Sequence, residues 1–243
     1  MYRIEENTII NKEDYTNIAG VDLGEIHSIT AYTLNNQACI ILGRYLRSLR
    51  RLQVKNLGKL NQKLSKCKKN SKRYKKLVNA KKKMLIKTNN QIYDINHKLT
   101  DKFVKFAIQN EVRLVYIGNP SGIERNTRKN KKKNKGKKVN QKLSNWSYSE
   151  HIRMLQYKLQ LLKIRVELID ESYTSQTCPC CGKRNKCNSR NYKCTCGYRS
   201  HRDVHGARNI LNKGIYHRIF TKGLVNNSIN PSITYLQPIK LNV

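Results

Sequence analysis

Four cysteines in two close pairs constrain this chain more than any other feature. Cys178 and Cys181 are spaced CxxC, Cys194 and Cys196 are spaced CxC, and a glycine follows each pair, Gly182 and Gly197. Thiolates this close chelate one cation, and two pairs a loop apart complete a tetrahedral Zn²⁺ site. A four-cysteine site is closed, so its ion folds a small ribbon and takes no part in chemistry. The second pair departs from the commoner CxxC, which leaves Cys180, Cys187 and His201 open as alternative ligands. A redox use of CPCC would call for a βαβ setting that the flanking residues do not provide. Seven residues past the last cysteine, Asp203 opens an apparent helix, RDVHGARNIL.

Charge sets the second constraint. The 243 residues carry 50 Lys or Arg against 15 Asp or Glu, a formal net charge of +35. That excess repels itself, and it points to a polyanionic partner, nucleic acid ahead of an anionic membrane surface. No apolar run reaches the ~20 residues that span a bilayer, and the first residues lack the apolar core of a signal peptide. The reading is therefore of no membrane association, with a cytoplasmic protein held at the nucleoid by DNA. In such a reducing compartment the eight cysteines favour metal over disulfide. Cys39 and Cys67 stand far from the cluster and read as ordinary thiols.

Along the chain, residues 17–34 (NIAGVDLGEIHSITAYTL) alternate as two antiparallel strands. Asp22 sits in the first, flanked by Val21 and Leu23, where an acid is costly unless its charge is compensated. It reads either as a turn residue beside Gly24 or as a metal ligand. Residues 44–93 hold 18 Lys or Arg and no acid. Leucines 46, 49, 57, 60 and 64 predict one helix, broken near Asn70-Ser71. A second is expected over 72–110, with Ile92, Ile95, Leu99, Phe103 and Ala107 on one face. This basic pair reads as an arm along phosphate backbones. Leu114–Gly118 predicts a buried strand ending at Asn119-Pro120. Residues 125–142, with ten Lys or Arg, read as a basic loop. A helix is expected over 146–162, opened by Trp146 as a packing anchor. Residues 164–169 predict a strand, followed by Asp170-Glu171. Residues 213–243 read as an irregular tail.

The motifs TSQTCPCCG, YKCTCGY and HRDVHGARNIL, with GVDLG at 20–24, resemble the C-terminal signature of the transposon-encoded OrfB/TnpB proteins. More distantly they are similar to Fanzor proteins and type V CRISPR effectors. The resemblance implies an α/β, RNase H/RuvC-like fold with an inserted zinc ribbon and long basic helices. Implied boundaries are a nuclease core over 18–172 (basic arm 44–111, basic loop 125–142), the ribbon over 173–199 and the last motif helix over 200–212. It covers the family's C-terminal half, so residues 1–17 are expected to be the short remnant of a truncated copy. The implied activity is RNA-guided DNA cleavage with DNA and a guide RNA as partners. Asp22, Glu171 and Asp203 would be catalytic ligands of Mg²⁺ or Mn²⁺, and Cys178, Cys181, Cys194 and Cys196 would hold structural Zn²⁺. Where the family commonly has a catalytic glutamate this chain has Asn119, and an amide cannot supply the charge that Mg²⁺ demands. Glu171 fits a relocated glutamate; Glu167 and Glu124 are weaker substitutes. Arg50, Arg51, Lys55, Lys132, Lys133 and Arg202 are the expected nucleic-acid contacts. The other reading is a nuclease-inactive DNA- or RNA-binding protein.

Overall fold

The computed structural model describes residues 16–119, 148–187, 189–220 and 231–238. Strands β1 (Asn17–Asp22), β2 (His27–Thr33) and β3 (Gln37–Leu42) form an antiparallel meander. Helices α1 (Arg44–Ser65) and α2 (Lys72–Gln109) follow, then β4 (Val112–Asn119), parallel to β1. Helix α3 (Tyr148–Leu161) leads into β5 (Arg165–Asp170), parallel to β4. Beyond a small hairpin, β6 (Asn191–Lys193) with β7 (Arg199–His201), come helix α4 (Arg202–Tyr216) and strand β8 (Ser232–Leu236). The main sheet runs β5-β4-β1-β2-β3-β8.

Helices cover both faces of this sheet, which explains why every residue of β2 is buried rather than every second one. Side chains alternate across a strand, so Ala19, Val21, Ile29, Ala31 and Ile41 meet the apolar faces of α2 and α3. On the opposite face Tyr32, Ile40 and Tyr116 pack with Val204, Ala207, Ile210 and Leu211 of α4. The expected apolar stripe of α2 is the one used, with Ile92, Ile95, Leu99, Phe103 and Ala107 all buried. Its N-terminus is capped by Ser71, whose side chain accepts from the Tyr74 amide, and this ends the break foreseen near Asn70-Ser71. Gln53 of α1 donates to Thr88 and Asn89 of α2, closing the hairpin. Lys158 of α3 donates to the His97 carbonyl, Thr100 and Asp101 of α2, and so finds partners where burial would otherwise be costly.

One expectation is overturned. The residues read as an irregular tail contain β8, which pairs in parallel with β3, Gln37 opposite Ser232 and Ile41 opposite Leu236. Its sequence, SITYL, is rich in β-branched and aromatic residues, but pairing across most of the chain leaves no local mark. The helix expected to end at 212 continues to Tyr216. No described helix is long and apolar enough to cross a membrane. Trp146, Glu124 and the basic loop with Lys132 and Lys133 lie outside the described residues.

Candidate active site

The C-terminal ends of β1, β4 and β5 lie side by side because the three strands are parallel neighbours. Asp22 is the last residue of β1, and Glu171 follows β5 directly. Asn119 ends β4 and pairs in register with Asp170, so the amide and Glu171 share one rim of the sheet. Asp203 stands in the first turn of α4, which packs across β1 and β2. Two glycines show where the carboxylates lie. A Cβ added at Gly206 would stand 2.8 Å from Asp22 Oδ2, and one at Gly118 would stand 3.3 Å from Glu171 Oε2. Bare backbone at Gly206 makes room for Asp22, while at Gly118 it makes room first for Ile210, whose Cδ1 would stand 2.6 Å from that Cβ.

Electrostatics reflect the crowding. Burial pushes the Asp22 carboxyl up to about 7, and the nearby charges of Glu171 and Asp203 add to the rise. Glu171 is pushed up to about 6, by burial first and then by Asp170. Asp203 goes the other way. Burial raises it, but the hydrogen bond and charge of His27, with His201 and Arg202 behind them, outweigh burial and hold it below its ordinary value. The α4 N-terminus also favours an anion at this place. Asp170 is turned out of the site. Its carboxylate accepts from Lys213 and Ser172, which bring it down to about 2.

Two groups of metal-ligating atoms lie within 4.8 Å of one another among the described residues. One is Cys178, Cys181, Cys194 and Cys196, a set that could hold a metal ion, with the CxC pair used. Sγ atoms of Cys178 and Cys196 are 3.6 Å apart, those of Cys181 and Cys194 3.5 Å. A tetrahedron of sulfurs around zinc has edges of about 3.8 Å, so the set is close to ligating shape. Burial raises the Cys178 thiol. It also raises Cys194, but the Cys196 amide and the neighbouring thiols outweigh it and hold Cys194 at about 6. Gly182 and Gly197 take φ of +72° and +92°, the left-handed turn each cysteine knuckle needs. Cys187 stays out of the group, bonded to Ser189 and the Asn191 carbonyl. The other group is His27, His201 and Asp203. Asp22 and Glu171 belong to neither.

The sequence from 1 to 124, just over half of the 243 residues, matches the OrfB_IS605 family, described as "Probable transposase". The chain belongs to the OrfB/TnpB family. Residues 148–210 of this TnpB-like chain also match the Cas12f1-like TNB domain. Among curated relatives, the Cas12f1 CRISPR-associated endodeoxyribonuclease of Sulfoacidibacillus thermotolerans is 39% identical over 72 residues, 28% of this chain and 17% of that protein. The TnpB-like protein ORF457 of Acidianus two-tailed virus is 23% identical over 164 residues, 67% of this chain and 32% of that protein. The chain thus spans a third or less of the curated relatives it matches. Its fold is similar to that of Cas12f1 in a cryo-EM complex with sgRNA and target DNA, at a TM-score of 0.60 and 20% identity over 83% of this chain and 51% of the other. A CRISPR-Cas12f ternary complex gives 0.62 at 20% identity, over 82% of this chain and 39% of the other.

Of the expected nucleic-acid contacts, Arg51 and Lys55 are exposed on α1 and Arg202 is exposed at the head of α4, beside the acids. Arg50 is half-buried, with burial and then Glu150 of α3 acting on its charge. Glu167 lies back along β5, opposite Tyr116 and 3.8 Å from Arg165, away from the rim. His27 was not foreseen. The turn after Asp22 brings the chain straight back, so the first residue of β2 had to return beside the end of β1; that was the available signal.

Proposed function

We propose that this TnpB-like chain is a metal-dependent nuclease core with an RNase H/RuvC-like sheet, which hydrolyses phosphodiester bonds in DNA. The observation that carries the reading is Asp22, a carboxyl at a strand end opposed both by burial and by Glu171 and Asp203. Like charges gathered in a low-dielectric place are the setting that a divalent cation neutralises, and an all-carboxylate donor set suits Mg²⁺ or Mn²⁺. Asp22, Glu171 and Asp203 would be the residues that hold the ions. Glu171 supplies at the rim the charge that Asn119 cannot. Bound there, the ions would activate a water and stabilise the leaving 3′ oxygen. Arg202, exposed next to Asp203, would hold the scissile strand's phosphate, and Arg51 and Lys55 its flanks. Zn²⁺ in the four-cysteine site would be structural. The sgRNA and target DNA in the cryo-EM relative support DNA and a guide RNA as partners.

A second reading, a nuclease-inactive nucleic-acid binder, is favoured by Asn119 and by the pairing of Asp203 with His27. The test is nicking of labelled DNA with Mg²⁺ or Mn²⁺, with and without RNA. Loss with Asp22→Ala and Glu171→Ala, and retention with Asn119→Ala, supports the nuclease. Binding without cutting in every condition supports the second reading.

A further inference from the structure

We propose that His27, His201 and Asp203 form a second transition-metal site, separate from the four-cysteine site, that takes a borderline divalent ion of the Zn²⁺ class. This goes beyond the nuclease reading and stands whether or not the chain cuts DNA.

Three elements deliver the ligands: His27 opens β2, His201 closes β7, and Asp203 lies in the first turn of α4. Their ligand atoms fall within 4.8 Å of one another. His27 is buried, and its Nδ1 is hydrogen-bonded to Asp203 Oδ2. The imidazoles of His27 and His201 lie 5.4 Å apart between centroids, with their planes tilted by 48°. Nδ1 of His201 is buried with no hydrogen-bond partner. An orphaned ring nitrogen beside a buried imidazole and a carboxylate is short of a partner that a cation would supply.

The donor set decides which cation. Two imidazole nitrogens and one carboxylate oxygen suit Zn²⁺ or Co²⁺ far better than Mg²⁺, which prefers oxygen and keeps its waters. Three protein ligands leave room for solvent. Arg190 opposes binding, since its Nη1 donates to His27 Nε2 at 3.4 Å. On binding, the His27 proton must leave Nδ1, and Nε2–H can no longer accept from Arg190. Arg190 is exposed and can swing away. An ion bound here also claims Asp203, drawing it from Asp22 and Glu171.

The test is Co²⁺ titration of the full chain in a large excess of Mg²⁺, followed by visible absorption. The expected result is one ion with intense thiolate-to-cobalt charge transfer and a second with weak d–d bands only. His27→Gln and His201→Gln should each lose the second ion and keep the thiolate ion, which also verifies that the ribbon folds. Arg190→Gln should tighten the second ion several-fold. Asp22→Asn and Glu171→Gln should retain it while abolishing any cutting. The proposal is overturned if only the thiolate ion binds, if both histidine variants retain the second ion, or if Asp22→Asn removes it.

Discussion

The imidazole of His205 on α4 stacks on the ring of Tyr192 in the cysteine ribbon, with centroids 3.8 Å apart and planes 14° from parallel. His205 also meets Tyr198 through its Nδ1, and Asn209, one turn on, donates to the carbonyls of Thr174 and Thr177. The ribbon is thus fastened to the helix that carries Asp203. The Glu171 carbonyl in turn accepts from the amide and hydroxyl of Thr174, so the same fastening reaches the second acid.

Removing the stack should loosen both. Tyr192 is fully buried, and Tyr192→Ala is expected to cost about 3 kcal/mol, from lost burial plus the cavity left behind. Urea unfolding of the zinc-loaded chain checks the magnitude. Cys194→Ser should lose metal by elemental analysis and lower the Tm further than Cys187→Ser, whose thiol is outside the cluster.

The Asp22 carboxyl makes stability depend on pH. Its value is 3.8 when unperturbed and about 7 in the fold, so the folded chain holds that proton more tightly than the unfolded one. The group's favourable contribution is complete below pH 3.8 and is lost as pH rises through about 7. Asp22→Asn should therefore stabilise the metal-free protein at pH 8, by at most roughly 4 kcal/mol, and make little difference near pH 4. Comparing variant with wild type matters because His205, pushed down to about 3 by burial and then Arg208, acts oppositely. Thermal melts of both proteins across this range give the answer. Added Mg²⁺ should recover most of the difference.

The rim position of the glutamate predicts an asymmetry in cutting. Glu171→Gln should reduce the single-turnover rate by at least about a hundredfold, or roughly 2.7 kcal/mol of barrier. Asn119→Ala should change it only a few-fold, and Glu167→Gln should do the same.

Gly206 is expected to tolerate no side chain. A methyl there would press on Asp22 Oδ2, so Gly206→Ala should displace the acid and cost about 1–3 kcal/mol. Denaturant melts and a cutting assay on the same preparation measure the two effects.

Much of this was legible in the residues. GVDLG, the cysteine pairs with their trailing glycines, and the helix opened by HRD each carry a local signal in spacing or turn chemistry. So does Ser71, which stops one basic helix and starts the next. The partnership of His27 with Asp203 was not, because it joins residues from distant parts of the chain that only the packing of α4 on β1 and β2 brings together. Glu171 was placed by its strand, but its closeness to Gly118 depends on the β4–β5 register, which sequence does not fix. Strand β8 was missed for the same reason: its partner β3 lies near the other end of the chain.

That last pairing bears on how the protein is made. A ribosome delivers β3 well before β8, so the outer hydrogen-bonding edge of β3 stays bare until the residues between the two strands have been synthesised. Closing so long a loop is entropically slow, and contacts of this kind retard folding. The Ala38–Ile41 run is therefore open to pairing with a neighbouring nascent chain until β8 arrives.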